Sequence, residues 1–206
     1  MHSKCSSEMI AEVKAFGLTS FVYEQELLQL ASEFGQAVPV RAGGELVQTL
    51  RVQFGSKCNK NSLTRRYGVG SFPYHTDGAY MDQVPRYLVL RSTSSIPSRR
   101  PTLIKDFITN LSSHELRVLS TEQWRIDAGR KAFYSSVICA NGLRLDLDCM
   151  RPVCGDTSST VAIIQSVLDR VKPTELHWNA NRVVVIDNWR LVHARAAIRR
   201  GLAVFC

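Results

Sequence analysis

The chain has 206 residues, of which 45% are hydrophobic and 21% are charged, a composition typical of one globular domain rather than of a disordered protein. Its formal net charge of +8 arises from dispersed basic residues, and no apolar run approaches the roughly 20 residues that a membrane-spanning helix requires. We therefore expect a single cytoplasmic domain over residues 1–206, without a membrane partner.

The N-terminal region predicts two helices separated by a short strand. Met9, Val13 and Phe16 recur at the spacing of one helix face. Gly17 follows them, and glycine at that position is a common signal for the end of a helix. A second helix is predicted over 27–34, because its apolar residues repeat the spacing before another glycine. The segment "LTSFVY" between the two helices is rich in residues that favour strands.

The middle of the chain is predicted to be mainly β. The segment "AVPVRAGGELVQTLRVQFG" has the pattern of a strand, a Gly-Gly turn and a second strand, and a loop is expected over 56–70. Further strands are predicted for "RYLVLRS", "TLIKDF", "AFYSSVI" and "LRLDLD". One helix interrupts them after "LSSHE", where Ser112 and Glu115 have the spacing of a capping box.

The last third predicts one helix followed by the closing strands. A helix over 158–171 places Val161, Ile164 and Leu168 on one face, and Pro173 follows its end. The segments "RVVVID", "RLVHAR" and "GLAVFC" are predicted strands. Together the elements indicate a mostly antiparallel β domain with peripheral helices.

One histidine pair and one carboxylate stand out as candidate metal ligands. In a strand, residues two positions apart point to the same side, so His75 and Asp77 can face one ion, and His193 follows the apolar run "VVVI". Two histidines and one carboxylate form the ligand set of non-haem Fe(II) oxygenases, which leaves open positions for O2. Each residue also has a structural alternative: His193 as a hydrogen-bonded core histidine, and Asp77 as a turn residue. The remaining histidines are predicted to be structural or exposed: His2, His114 and His177.

The segments around these residues resemble a known enzyme family. The stretch "FPYHTDGAYMDQVPRYLVLRS", the threonine of "RRPTLI" and the block "VVVIDNWRLVHARAAIRRGL" are similar to the taurine dioxygenase and clavaminate synthase group of Fe(II)/2-oxoglutarate-dependent oxygenases. Thr102 lies 27 positions beyond His75, the family spacing for a threonine that helps to hold the co-substrate. The resemblance implies a double-stranded β-helix, or jelly roll, with the metal inside one mouth.

The resemblance also implies a pocket for 2-oxoglutarate, whose far carboxylate needs a cation. Arginine suits this position because its planar fork binds a carboxylate with two hydrogen bonds and stays charged, and Thr102 can add a hydroxyl donor. Arg195, Arg199 and Arg200 all follow the distal histidine closely. Arg200 is the preferred partner, since Leu202 shares its strand face as in relatives; Arg195 is the second choice.

The function implied is an oxidoreductase that uses Fe(II), 2-oxoglutarate and O2. It would oxidise a C–H bond of a small molecule such as an amino acid, amine or small acid, in most cases by hydroxylation, and release succinate and CO2. Two alternatives stay open: a nucleic-acid-directed oxygenase of the same chemistry, and a non-catalytic jelly-roll binding protein. Dispersed basic residues without interleaved aromatics argue against nucleic acid. Tyr67, Tyr74 and Arg144 are candidates for the pocket border, for packing or for the surface.

Overall fold

The structure of the protein, a computed structural model, describes residues 5–39, 44–49, 66–68, 70–93, 100–129, 131–153 and 157–196, with side chains in the last range described from residue 160. Strands predominate, and a few helices lie at the periphery. None of the helices in the described ranges is both long enough and apolar enough to cross a membrane.

The elements follow one another as short strands interrupted by helices. The helices are α1 (Ser6–Phe16), α2 (Leu27–Ser32), α3 (Ser113–Thr121) and α4 (Thr157–Arg170), and a 3-10 helix covers Ile108–Asn110. The strands are β1 (Leu18–Val22), β2 (Tyr87–Arg91), β3 (Thr102–Asp106), β4 (Trp124–Ala128), β5 (Lys131–Ser135), β6 (Ile138–Cys139), β7 (Gly142–Leu143), β8 (Met150–Pro152), β9 (Thr174–Leu176), β10 (Arg182–Asp187) and β11 (Leu191–Arg195).

The strands form small antiparallel sheets that pack in layers. One sheet has the order β1-β10-β2 and a second has the order β11-β3-β9. A third sheet, β5-β4-β8, and the pair β6-β7 complete the described strands. Strands β10 and β11 are neighbours in sequence but belong to different sheets, so the turn 187–190 carries the chain from one layer to the other.

Two apolar clusters lie on opposite faces of the β11 sheet. Ile104 and Leu191 pack with Val184 and Ile186 of β10. They lie between the β1-β10-β2 sheet and the β11-β3-β9 sheet, the two main sheets. Val192, the neighbour of Leu191, belongs instead to the cluster built with α3, α4 and β4. Alternation along β11 therefore buries one face against β10 and the other against the helices.

The predicted helices are present, with different ends or faces in two cases. Helix α1 ends at Gly17, which has a φ of +79° and donates its N–H to Val13 O over 2.8 Å. Phe16, expected on its buried face, is 69% exposed, because only Met9 and Val13 of this helix reach the core. Helix α2 ends at Ser32, short of the predicted end at residue 34.

The capping box of α3 is confirmed. Glu115 N–H donates to Ser112 Oγ over 3.2 Å, while Ser112 N–H donates to a Glu115 carboxylate oxygen over 2.8 Å. Helix α4, Thr157–Arg170, confirms the predicted helix near the end of the chain.

The strand predictions were less accurate. Five segments are confirmed by β1, β2, β3, β10 and β11, and "AFYSSVI" by β5 and the start of β6. The segment "LRLDLD" was predicted wrongly, because only its first residue, Leu143, lies in a strand and 147–149 form a turn. Strand β4 was not predicted. Residues 37–39 and 44–49 form no strand, and the rest of the expected Gly-Gly hairpin and the segment "GLAVFC" lie outside the described residues.

Candidate metal centre

His193 is held on β11, at the end of the space between the two main sheets. It lies opposite Ile104 of β3 in the antiparallel register and is buried. His75 pairs with it through the backbone, since His75 N–H donates to His193 O and His193 N–H donates to His75 O, each over 3.0 Å. The two imidazole centroids are consequently 4.4 Å apart. Two histidines separated by 118 positions in the sequence are thus fixed side by side.

The hydrogen bonds of the imidazoles leave nitrogen lone pairs for a ligand. His75 Nδ1 is 2.9 Å from Pro73 O, and because a carbonyl only accepts, Nδ1 carries the proton and Nε2 is free to bind a metal. His75 Nε2 lies 3.8 Å from Asp77 Oδ1, and His193 Nε2 lies 3.6 Å from Asp77 Oδ2. His193 Nδ1 is buried without a hydrogen-bond partner among the described residues.

The electrostatics of His75 and Asp77 favour their ligand forms. Burial, and then the charge of His193, lower the pKa of His75, so its imidazole is neutral near pH 7. Burial would raise the pKa of Asp77, but the hydrogen bond with His193 and the charges of both imidazoles lower it to about 2. A neutral imidazole and an ionised carboxylate are the forms that bind a divalent metal.

The donor set fits one metal ion. One ligand atom from each of His75, Asp77 and His193 lies within 4.8 Å of the other two. The two histidines are buried, whereas the Asp77 side chain is 48% exposed, so the group is reachable from solvent. Two imidazoles and a carboxylate are suitable ligands for Fe(II). The predicted ligands therefore converge, although the structure differs from the expected strand: His75 makes a single β-bridge, and Asp77 begins a turn.

Asn188 contacts the backbone of Asp77, and the sequence reasoning missed it. Its Oδ1 accepts from Asp77 N–H over 3.0 Å, and its Nδ2 donates to Asp77 O over 3.0 Å and to Pro85 O over 2.9 Å. The residue is fully buried in the turn that separates β10 from β11. The "DNW" tripeptide ahead of the distal histidine was the only signal that could have drawn attention to it.

Arg144 holds the chain that follows Asp77. Its guanidinium donates to the carbonyls of Ala79, Met81 and Asp82, the last two over 2.6 and 3.1 Å, and it is buried against the ring of Phe133. Arg144 therefore has a structural role in this region. Of the alternatives for this residue, packing agrees with the structure.

The two tyrosines considered for the pocket border have different surroundings. Tyr67 donates its hydroxyl to Asp148 Oδ1 over 3.0 Å, and Arg66 donates to the same oxygen. Tyr74 packs against the core cluster next to the helices, with the Lys105 amino group 4.7 Å from its ring centroid.

Asp146 is a further acidic residue close to the ligands. It interacts electrostatically with His75, and burial raises the pKa of its carboxyl. One of its oxygens accepts from Asp148 N–H over 2.9 Å. The alternating pattern of "LRLDLD" predicted a strand, so Asp146 was not recognised as a candidate for the site.

The candidate co-substrate residues lie on paired strands, as far as the structure describes them. Thr102 is opposite Arg195 in the register of β3 and β11, and its hydroxyl accepts from Trp178 Nε1 over 2.9 Å. Arg195 stacks over Phe72 at 3.6 Å from the ring centroid. Its guanidinium donates to two loop carbonyls, at 2.6 Å to Gly68 O and at 2.6 and 2.9 Å to Gly70 O. Arg199 and Arg200 lie outside the described residues.

The other described histidines are apart from this group. His114 lies in the first turn of α3, and the exposed His177 has its Nε2 3.4 Å from a carboxylate oxygen of Glu175. Both placements agree with the prediction of structural or exposed histidines. His2 lies outside the described residues.

Solved structures of iron oxygenases are similar to this fold. PvcB, an Fe, α-ketoglutarate dependent oxygenase from an isonitrile synthetic pathway, matches with a TM-score of 0.66 and 16% identity over 95% of this chain and 75% of its own. AAD-2 in complex with Mn(II) and N-oxalylglycine matches with a TM-score of 0.69 and 13% identity over 95% of this chain and 84% of its own. No protein-family model and no curated protein matches the sequence.

An asparagine oxygenase in complex with Fe(II), hydroxyasparagine and succinate is also similar, with a TM-score of 0.51 and 15% identity. That match covers 66% of this chain but 47% of the oxygenase, so the chain spans about half the length of this relative. At these identities the likeness establishes the fold. The chain has the mainly β fold, with peripheral helices, of α-ketoglutarate-dependent oxygenases.

Proposed function

We propose that the chain is an Fe(II)- and 2-oxoglutarate-dependent oxygenase that oxidises a C–H bond of a small molecule, in most cases by hydroxylation, with release of succinate and CO2. The observation that carries this proposal is the convergence of His75, Asp77 and His193 within a fold shared with such oxygenases. Within that superfamily we place it with the taurine dioxygenase and clavaminate synthase group, and we assign its sheets to a jelly roll.

The three ligands have distinct tasks in this proposal. His75 and His193 supply nitrogen donors on a rigid backbone pair, and Asp77 supplies the negative charge from the solvent side. Bound Fe(II) would supply the redox chemistry that couples decarboxylation of 2-oxoglutarate to oxidation of the substrate by O2. The partial exposure of Asp77 leaves a route by which co-substrate and substrate reach the ligands.

Thr102 and Arg200 are the proposed partners of the far carboxylate of 2-oxoglutarate. Thr102 lies on the same face of the β11 sheet as His193, because its strand partner Arg195 is two positions from that histidine. Arg195 directs its donors to the carbonyls of Gly68 and Gly70, which argues against Arg195 as the carboxylate partner. The preference for Arg200 rests on its expected strand register with Leu202.

The test is formation of succinate from 2-oxoglutarate by the purified protein with Fe(II), ascorbate and a panel of amino acids, amines and small acids. We expect succinate to form only with Fe(II), and at least one substrate to raise it above the uncoupled background. His114→Ala is the matched control, since this histidine lies in α3, away from the ligands. Absence of iron-dependent succinate formation across the panel would refute the proposed function.

A nucleic-acid substrate is the second candidate, and the observation that favours it is the net charge of +8. Phosphate-driven binding weakens steeply as salt rises, so titration with a labelled oligonucleotide at two salt concentrations separates the candidates. We expect weak binding at physiological salt. Tight, strongly salt-dependent binding together with oxidation of the oligonucleotide would favour the second candidate, whereas metal binding without turnover would indicate a binding protein.

A further inference from the structure

We propose that Asn188 is a positioning residue that sets the metal-binding geometry of Asp77 by holding its peptide groups on both sides. The inference rests on the proposed function, because it assumes that His75, Asp77 and His193 bind a metal. Asn188 touches none of the ligand atoms and acts on Asp77 only through its backbone.

The hydrogen bonds of Asn188 are all used on this segment. Its carbonyl oxygen accepts from Asp77 N–H, and its amide nitrogen donates to Asp77 O and Pro85 O, at 3.0, 3.0 and 2.9 Å. Asn188 has 0% of its surface exposed, so no water competes for its amide oxygen and nitrogen. The side-chain amide of Asn188 thus links Asp77, where the turn begins, to Pro85 further along the same segment.

Asp77 needs this support more than the two histidines do. The backbones of His75 and His193 bond to each other, and His193 also lies within a paired strand. Asp77 has no strand partner in the part of the chain that the structure describes. It begins a turn, is followed by Gly78 at a φ of +75°, and exposes half of its side chain. Asn188 supplies a fixed partner for both its N–H and its C=O.

The turn that carries Asn188 is itself well anchored. Asn188 N–H donates to Arg86 O over 2.7 Å. The Asp187 carboxylate accepts from Arg86 over 3.2 Å. The same turn leads directly into β11 and His193. One rigid turn therefore sets the position of Asp77 relative to His193.

The decisive variant is Asn188→Asp, which keeps the shape and the acceptor for Asp77 N–H. Its second carboxyl oxygen would replace the amide nitrogen and face the carbonyls of Asp77 and Pro85, to which an ionised carboxylate donates no hydrogen bond and a protonated one at most one. Trp189→Phe is the matched control, because it removes a hydrogen bond from the same turn to Val84 without touching Asp77. Titration of the metal-free proteins with Mn(II) measures affinity, and urea unfolding of the metal-free proteins measures stability.

We expect Asn188→Asp to weaken Mn(II) binding by about 10- to 100-fold, the usual range for residues that orient a ligand. Trp189→Phe should stay within about twofold of wild type even if both variants lose stability. A second readout needs no metal: exchange of the Asp77 amide hydrogen, slow in the wild type, should become fast in Asn188→Ser, whose shorter side chain no longer accepts from that N–H, and stay slow in Trp189→Phe. If Asn188→Asp does not fold, Asn188→Ser takes its place.

Equal affinity of wild type and Asn188→Asp, or equal losses in both variants, would overturn the positioning role and leave the proposed function intact. A wild-type protein that binds neither Mn(II) nor Fe(II) would overturn both proposals. Loss of affinity and of Asp77 amide protection only in the Asn188 variants would establish the role.

Discussion

Two regions of the molecule are held by different kinds of interaction. The ligand loop, residues 75–86, is fixed by side chains that bond to its backbone, above all those of Arg144 and Asn188. The helical layer, formed by α3, α4 and β4, is held by fully buried apolar side chains, which include Leu119, Ile126 and Val167. At its surface the helical layer adds an ion pair between Glu115 and Arg170.

This contrast reflects what each region has to do. Hydrogen bonds depend on distance and angle, so they can set the place of a ligand, whereas apolar burial depends mainly on area and tolerates small shifts. Changes in the ligand loop should therefore alter metal binding more than stability. Changes in the helical layer should lower stability more than they alter metal binding.

The largest effect is expected from His193→Ala. Removing one of three ligands should abolish measurable Mn(II) binding and succinate formation, while the circular dichroism spectrum stays that of a folded protein. His177→Ala, which changes an exposed histidine outside the group, should bind metal as the wild type does. Full activity in His193→Ala would refute the ligand assignment.

Ile126→Ala tests the helical layer. Ile126 is fully buried on β4, and truncation of a buried isoleucine costs about 2–5 kcal/mol of unfolding free energy. We expect that loss in urea unfolding of the metal-free protein. Mn(II) affinity should change by less than about twofold in the folded protein. A matching loss of metal affinity would mean that the two regions are coupled and that the contrast fails.

Arg144→Met tests the part of the ligand loop between the two residues that Asn188 contacts. The apolar side chain would leave the carbonyls of Ala79, Met81 and Asp82 without their donor, at a cost of about 1–3 kcal/mol in stability. Because these carbonyls follow Asp77 closely, we also expect weaker Mn(II) binding than in Ile126→Ala. Unchanged affinity would show that Asn188 alone suffices to hold the loop.

Regular elements with a strong apolar period were predictable from the sequence. The spacing of apolar residues along α4 follows from burial of one helix face, and the capping box of α3 is a local pattern. Strand β4 was overlooked because exposed Arg125 and Asp127 alternate with two buried residues over only five positions. Periodicity over such a short stretch carries little information.

In the candidate site, too, some residues were predictable from the sequence and others were not. His75, Asp77 and His193 could be proposed because their residue types and spacing carry the chemistry, and the structure brings them together. Asn188 could not, since its role depends on contacts with Asp77 and Pro85 more than a hundred positions away. In "LRLDLD" the alternation suggested a strand, but Arg144 turns inward to bind backbone carbonyls.

The smallest effect is expected from the ion pair of the helical layer, and its dependence on pH identifies it. Hydrogen bonds from Arg170 at 2.7 and 2.8 Å, followed by those from Ser112, lower the pKa of Glu115 from its ordinary 4.5 to about 2. A carboxyl whose pKa is depressed by folding contributes stability above its ordinary pKa and loses it as the pH falls toward the depressed value. Glu115→Gln should therefore be less stable than wild type at pH 7, by less than about 1 kcal/mol because Arg170 is partly exposed.

The difference in unfolding free energy between wild type and Glu115→Gln should shrink as the pH is lowered from 4.5 toward 2, since protonated Glu115 resembles the glutamine. Urea unfolding of both proteins at a series of pH values measures it, and Glu122→Gln, placed just after the end of α3, is the control without the Arg170 contact. A gap that stays constant or widens in acid would assign the effect to helix capping rather than to the ion pair. Mn(II) affinity at pH 7 should be unchanged in Glu115→Gln, because this side chain stabilises the helical layer and makes no contact with the ligand loop.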